Sequence, residues 1–327
     1  LKKCAKVYVM RIQIAGCSVK ASKRTLQNPI FYALKMIQRS CEELNHTVFY
    51  NEDDEALDVD VAFMFGSVTK RKTGTDRALI KKNLINKKIP TFHLDTGLFS
   101  VYIRNHLNVS ETGMFRLGMN DCVGTGDFFN KDMPDERYKS FKDNFNFIEK
   151  DPITNKDGNI LFLLQSEKGW QYNEIQPFWE YARNTIEHIR KITKRNITIR
   201  AHPSPDRRGP EAIAEGFENI EIEYAERSRR SVLDSINKSF AVVTHSSSAA
   251  VESIVEGIPT FALDERCIAY DACESNLELL EDIEKYNWNN RMKNLYGWAY
   301  TSWHVNEFEN PVTIQYYLEK GKSLGYI

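Results

Sequence analysis

Two stretches of the 327-residue chain concentrate side chains that can hold a charged ligand. In "ITIRAHPSPDRRG", Arg200, His202 and Pro203 close a run whose alternation suits a strand. In "VVTHSSSAAVESIVEGIPTFAL", His245 and the serines Ser246, Ser247 and Ser248 lie between an apolar strand and the start of a helix. The first N–H groups of a helix lack intrahelical partners and sit at the positive end of its dipole. With hydroxyls and an imidazole beside them, they suit a phosphate. Glu252 follows about one turn later, where a carboxylate can accept from the hydroxyl pair of a ribose, and Gly257 closes the helix. Each group also has a plainer use: a serine there can be a helix cap, and His202 can be a polar loop residue.

A third candidate is Asp95, in "IPTFHLDTGLF". A carboxylate at a strand end can take a proton from a hydroxyl or attack an electrophilic carbon. It can equally cap a following helix.

The elements that must position these groups alternate. "VYVMRIQIAG", "VFY", "VDVAFMFGS" and "IPTFHLD" read as strands, with helices over "IFYALKMIQRSCEELNHT" and the basic segment "KRKTGTDRALIKKNLINKK". From Tyr102 to about Ile148 the pattern weakens into an irregular segment. After the turn-rich "EKDPITNKDGN" it resumes with the strands "ILFLLQS", "ITIRAHP", "IEIEYA", "FAVVTH" and "IPTFAL", separated by helices. The expected fold is α/β, with two doubly wound Rossmann-like domains facing a cleft. The first domain covers 1–152 and is completed by a C-terminal helix at 305–327; the second covers 153–304.

Several classes are excluded or disfavoured. No run of about 18 apolar residues occurs, so no membrane segment is expected. The six cysteines are scattered without a CxxC pair, which reads as reduced thiols in a cytoplasmic protein with no structural zinc. "GTGDFF" lacks the third glycine of a dinucleotide fingerprint and follows no clear strand. The acidic run Glu52, Asp53, Asp54 and Glu55 reads as a solvated loop rather than an ion site. The aromatic tail, with Trp288, Trp298 and Trp303, reads as helix packed on a core, though aromatics interleaved with basic residues can also stack on bases.

"RAHP" followed some 40 residues later by "THSSSAAVESIVEGIP" resembles the paired donor motifs of GT-B-type glycosyltransferases. These include bacterial sialyltransferases, capsule Kdo transferases and phage-encoded sugar transferases. The resemblance covers roughly residues 160 to 265 and is loose in the N-terminal part, where "HLDTGLF" is similar to an acidic turn of the same families. It implies that His202 and the serines Ser246, Ser247 and Ser248 hold the phosphate of a nucleotide-sugar co-substrate, with His245 also on the donor side. Arg200 and Pro203 then stand beside them, Glu252 binds the ribose, and Asp95 is the catalytic carboxylate. It implies no redox cofactor and no essential metal.

The net charge of −1 conceals an asymmetry. Residues 1–156 hold 25 Lys and Arg against 19 Asp and Glu, and the remainder holds 19 against 26. Lys20, Lys23, Arg24, Lys70, Arg71, Lys72 and Arg77 form a basic set suited to the phosphates of double-stranded DNA. The leading expectation for the acceptor is therefore a hydroxymethylated pyrimidine in phage DNA, reached by flipping the base. The alternatives are a capsule or lipid-linked saccharide acceptor, a non-catalytic nucleotide- or DNA-binding module, and a merely solvated basic helix.

Overall fold

The computed structural model describes residues 9–19, 28–66, 76–103, 113–123, 126, 132–145, 149–166, 177–203, 209–225 and 230–327. Six of the seven expected DNA contacts, Lys20, Lys23, Arg24, Lys70, Arg71 and Lys72, lie outside these residues, as does most of "GTGDFF".

In chain order the first elements are β1 (Arg11–Ala15), α1 (Pro29–Glu43), β2 (Thr47–Asn51), β3 (Val61–Phe65), α2 (Asp76–Asn86), β4 (Thr91–Thr96), α3 (Ser100–Ile103), β5 (Met114–Met119) and α4 (Glu136–Phe145). Then come β6 (Asn159–Leu163), α5 (Phe178–Ile192), β7 (Ile197–Arg200), α6 (Glu211–Ala214), β8 (Ile220–Glu223), α7 (Arg230–Lys238), β9 (Ser239–Thr244), α8 (Ala249–Val255) and β10 (Thr260–Ala262). The chain closes with α9 (Arg291–Thr301), β11 (Ser302–His304) and α10 (Pro311–Ser323).

The protein is α/β, with two separate sheets. The first has the order β11-β5-β4-β3-β1-β2, with β1 to β4 parallel and β5 antiparallel to β4. The second, β10-β9-β6-β7-β8, is parallel throughout. Strands buried on both faces must be apolar at every position, which is why "VAFMF" in β3 shows no alternation and is buried along its length. Helix α1 starts where Asn28 accepts from the Ile30 N–H and Pro29 supplies a preset φ; its inner face is Ala33, Leu34, Met36, Ile37 and Cys41. Helix α5 lays Phe178, Ala182, Ile186 and Ile189 on the second sheet at helical spacing.

The chain forms two compact units. One comprises Leu1–Gly97, Gly113–Cys122 and Trp303–Ile327; the other comprises Leu98–Thr112 and Val123–Ser302. The sequence reading kept 123–152 with the first domain. In the structure α4 packs in the second unit, where the Arg137 guanidinium donates to the carbonyls of Ala299 and Ser302 at 2.8 and 2.6 Å. Two further elements differ from expectation. The segment read as irregular contains β5 and α4, and the tail read as helical contains β11, which completes the first sheet. The tryptophans are largely structural: Trp298 is fully buried, and Trp303 donates from Nε1 to the Tyr317 hydroxyl at 2.6 Å. The Tyr317 ring in turn meets Phe92 of β4 edge-on.

The acidic run after β2 is a turn built on Asn51, whose side chain accepts from the Asp53 N–H. Among the described residues no group of acidic, histidine or cysteine side chains could hold a metal ion, and no helix is long and apolar enough to cross a membrane. None of the described cysteines is in a disulfide, and Cys4 lies outside them.

Candidate functional site: the carboxyl edge of the second sheet

In the second sheet, sequence order reverses direction between β6 and β9, the two strands that start the outward progressions β6-β7-β8 and β9-β10. In open α/β sheets the connections leaving such a pair at its carboxyl end go to opposite faces, and a crevice opens between them. The residues at that point are Gln165, just past β6, and His245 and Ser246, just past β9. All three are buried.

Their contacts form one chain. Gln165 Oε1 accepts from the Ser246 N–H at 2.9 Å and lies 3.2 Å from Ser246 Oγ. Ser246 Oγ is 3.1 Å from Nδ1 of His245. On the other side of that imidazole, Nε2 is 3.4 Å from Asp264 Oδ2, and the Tyr181 ring of α5 packs edge-on at 4.8 Å. Asp264 follows β10 and is clamped by Arg266, which donates to it from its backbone N–H, Nε and Nη2 at 2.8, 2.7 and 2.5 Å. Burial drives the His245 pKa from its ordinary 6.5 down to about 4, against the pull of Asp264, so the ring is neutral at pH 7. Burial alone would raise the Asp264 carboxyl; the Arg266 hydrogen bonds outweigh it and hold the group ionised, below its usual range.

The serines divide their labour differently from the expected row of free helix N–H groups. The Ser247 N–H donates to Thr244 Oγ1 at 3.2 Å, and Ser247 Oγ accepts from the Ala249 N–H at 3.2 Å. Ser247 is thus a local cap, and the amides of Ser246, Ser247 and Ala249 already have partners. Helix α8 has only seven residues, so the hydroxyls rather than a long dipole are the groups on offer. Ser248 is exposed and Ser246 is buried.

His202 stands two residues beyond β7, half-buried, with Pro203 exposed after it. Because β7 and β9 flank β6, their ends lie about 10 Å apart, with Gln165 between them. Arg200 is taken up elsewhere. It is buried and bonds Glu223, its register partner on β8, together with the Ser235 hydroxyl at 2.9 Å, so its guanidinium belongs to the sheet rather than to a ligand. Glu252 is only 5% exposed and lies near Tyr102, whose hydroxyl pKa it helps to raise after burial and Glu256. The Tyr102 hydroxyl donates to Glu256 at 2.9 Å, and Lys150 pairs with the same carboxylate at 2.5 Å. Glu252 is therefore placed among the side chains of this buried cluster. Gly257 ends α8 at φ +73°, and a Cβ there would come within 2.3 Å of the Asp151 carbonyl oxygen.

In the first unit, Asp95 is the penultimate residue of β4 and no helix cap. Oδ1 accepts from the Thr96 N–H at 2.7 Å; Oδ2 pairs with Arg116, opposite it on β5, at 3.1 Å and accepts from the Cys122 thiol at 3.6 Å. Arg77, the one described member of the basic set, is turned inward: its Nε donates to the Ser18 carbonyl at 3.1 Å and its guanidinium lies 4.9 Å from the centre of the Phe65 ring. Burial lowers its pKa.

The sequence reading did not single out Gln165, Asp264, Arg266 or Tyr181. The available signal was a polar residue ending the most apolar strand, "ILFLLQ", at the centre of the second half.

No family model matches the sequence, and no curated protein matches it. Solved structures with similar architecture include a β-Kdo 2,4-transferase, KpsC, of Thermosulfurimonas dismutans (14% identity, TM-score 0.49, covering 93% of this chain and 99% of that one). The 2,7-transferase of KpsC from the same organism matches at 12% identity and TM-score 0.49, covering 94% and 100%. The UDP-GlcNAc 2-epimerase of Methanocaldococcus jannaschii, in complex with UDP-GlcNAc and UDP, matches at 13% and 0.36, covering 94% and 99%. At these identities the likeness does not extend to a correspondence between residues.

Proposed function

We propose that the protein is a nucleotide-sugar-dependent glycosyltransferase whose donor phosphate sits at the β6/β9 crevice. The observation that carries this reading is the coincidence of the strand-order reversal with His245, Ser246 and Gln165, with Ser248 beside them and His202 two strands away. Hydroxyls and imidazoles suit a phosphate oxygen whose charge grows as the sugar departs. Arg200, held by Glu223 and the Ser235 hydroxyl, takes no direct part in this version of the site. Asp95 is the proposed acceptor-side carboxylate, with Arg116 and Cys122 fixing its orientation.

The acceptor is a hydroxyl compound. A DNA base remains one candidate on the strength of the basic first half alone, since Arg77 is occupied inside the first unit. A saccharide hydroxyl is the other. The test is to incubate the protein with a panel of nucleotide sugars and, separately, hydroxymethylated duplex DNA or acidic oligosaccharides, and to weigh the products. Transfer of one sugar mass that is lost in Asp95→Asn supports the reading. No nucleotide binding and no transfer with any pair would sink it, leaving a non-catalytic module.

A further inference from the structure

The hydroxyl of Ser246 carries one proton, and two acceptors stand within reach of it, Gln165 Oε1 at 3.2 Å and His245 Nδ1 at 3.1 Å. Which one receives it depends on the other end of the imidazole. The ionised Asp264 carboxylate lies 3.4 Å from Nε2, and its negative charge draws the neutral ring's single proton to that nitrogen, which leaves the Nδ1 lone pair facing Ser246. The Ser246 proton then turns inward to Nδ1, and the hydroxyl oxygen offers only lone pairs to the crevice. That arrangement repels a phosphate. If His245 gains a second proton, Nδ1–H donates to Ser246 Oγ and the Ser246 proton leaves the ring, to go to Gln165 Oε1 or, with a phosphate in the crevice, outward to the ligand, while Asp264 offsets the charge of the imidazolium.

We propose that Asp264, acting through His245, is a positioning residue that sets the direction of the Ser246 hydroxyl, so that an anionic ligand binds at this crevice with uptake of one proton by His245. The inference rests on the donor-phosphate reading of the crevice. Among the described residues, the titratable and charged groups that face the imidazole are Asp264 and Arg266 after β10 and Tyr181 on α5. From the end of β6 comes only the uncharged Gln165 amide, acting through Ser246. Tyr181 stays protonated, its pKa raised by burial, and Arg266 is already paired with Asp264, so the ring is the one group of the set free to change charge near neutrality. The free protein holds His245 neutral because of its burial, and a bound phosphate adds a negative charge about one side chain away, favouring the protonated ring.

The experiment uses the full chain and two probes, CMP and UDP. Calorimetric titration in buffers of different ionisation enthalpy counts the protons taken up, and the affinity is followed from pH 5 to 8. The probes' own phosphates titrate in this range, so the reference is His245→Gln measured identically. The expected result is an additional uptake approaching one proton in the wild type. Its affinity should fall by up to about tenfold per pH unit more steeply than that of the variant over part of the range. Asp264→Asn should shrink that difference while retaining binding. Nitrogen-15 imidazole spectra of the free protein should show His245 as the neutral Nε2–H tautomer at pH 7, a readout that a merely structural contact would not fix. If CMP and UDP bind with the same uptake and pH profile in wild type and His245→Gln, or if the free ring carries its proton on Nδ1, this inference fails and the donor site stands. If neither probe binds, both fail together.

Discussion

The two sheets reverse direction at comparable points and make opposite use of them. In the first sheet the reversal falls between β1 and β3, and the place is plugged: Ser18 donates to the Ala15 carbonyl at 2.6 Å and accepts from the Phe65 N–H at 2.9 Å, while Arg77 lies on the Phe65 ring. In the second sheet the reversal between β6 and β9 is lined by side chains whose hydrogen bonds can be redistributed, with Ser248 exposed at its rim. Strand order thus supplies a crevice twice, and the neighbouring side chains decide which one can accept a ligand.

The sharpest test of that contrast is to break a guanidinium in each unit. Arg200→Ala leaves Glu223 without its buried partner and should cost about 3 kcal/mol of stability. Read by denaturant midpoint, it should leave nucleotide affinity in the folded variant unchanged. A selective loss of affinity without destabilisation would return Arg200 to the ligand. Arg77→Ala should cost about 2 kcal/mol, again with no effect on nucleotide affinity.

Acid should strain both units alike. His93, buried on β4 with Nδ1 3.2 Å from the Gly66 carbonyl, has its pKa lowered to about 4, by burial first and then by Lys81. His245 is lowered to about 4 as well. Each is neutral when folded, whereas the unfolded chain binds its proton near 6.5. The stability each confers is therefore complete above about pH 6.5 and is lost as pH falls toward 4, by up to roughly 3 kcal/mol per ring. Denaturation curves at pH 7, 5.5 and 4.5 check this, and His93→Gln or His245→Gln should flatten the decline. An unchanged slope in both variants would show that other groups control it.

Smaller effects should separate the rim of the open crevice from its wall. His202→Ala and Ser248→Ala should each weaken CMP or UDP binding by about ten- to a hundredfold, the worth of one hydrogen bond to a charged group. At exposed Ser248 the stability should move by less than about 0.5 kcal/mol. Comparable affinities in all three proteins would place the phosphate elsewhere.

Much of the architecture is legible because parallel strands announce themselves. "VAFMF", "ILFLL" and "FAVVT" are apolar on both faces and stand apart from the helices between them. Strand β5, "MFRLGM", did not stand out, because Arg116 interrupts it and it lies amid polar residues; Asp95, the partner of that arginine, is 21 positions away. Strand β11 has three residues, too few for any periodicity. In the candidate site the serines and histidines were legible as residue types beside a strand end. Their partners were not: Gln165 meets Ser246 across 81 positions. Arg200, equally plausible by type, is claimed by Glu223 only because β7 and β8 bring the two into register.

The late strand β11 gives synthesis a direction. All five strands of the second sheet have been made once residue 262 is reached, whereas the first sheet has neither β11 nor the Tyr317 ring that meets Phe92 until residues 302–317 are made. The earlier half is therefore the half that waits, its β5 edge open to stray pairing while its successor closes. A nascent chain stalled before Ser302 should be protease-resistant in the later half and labile in the earlier one.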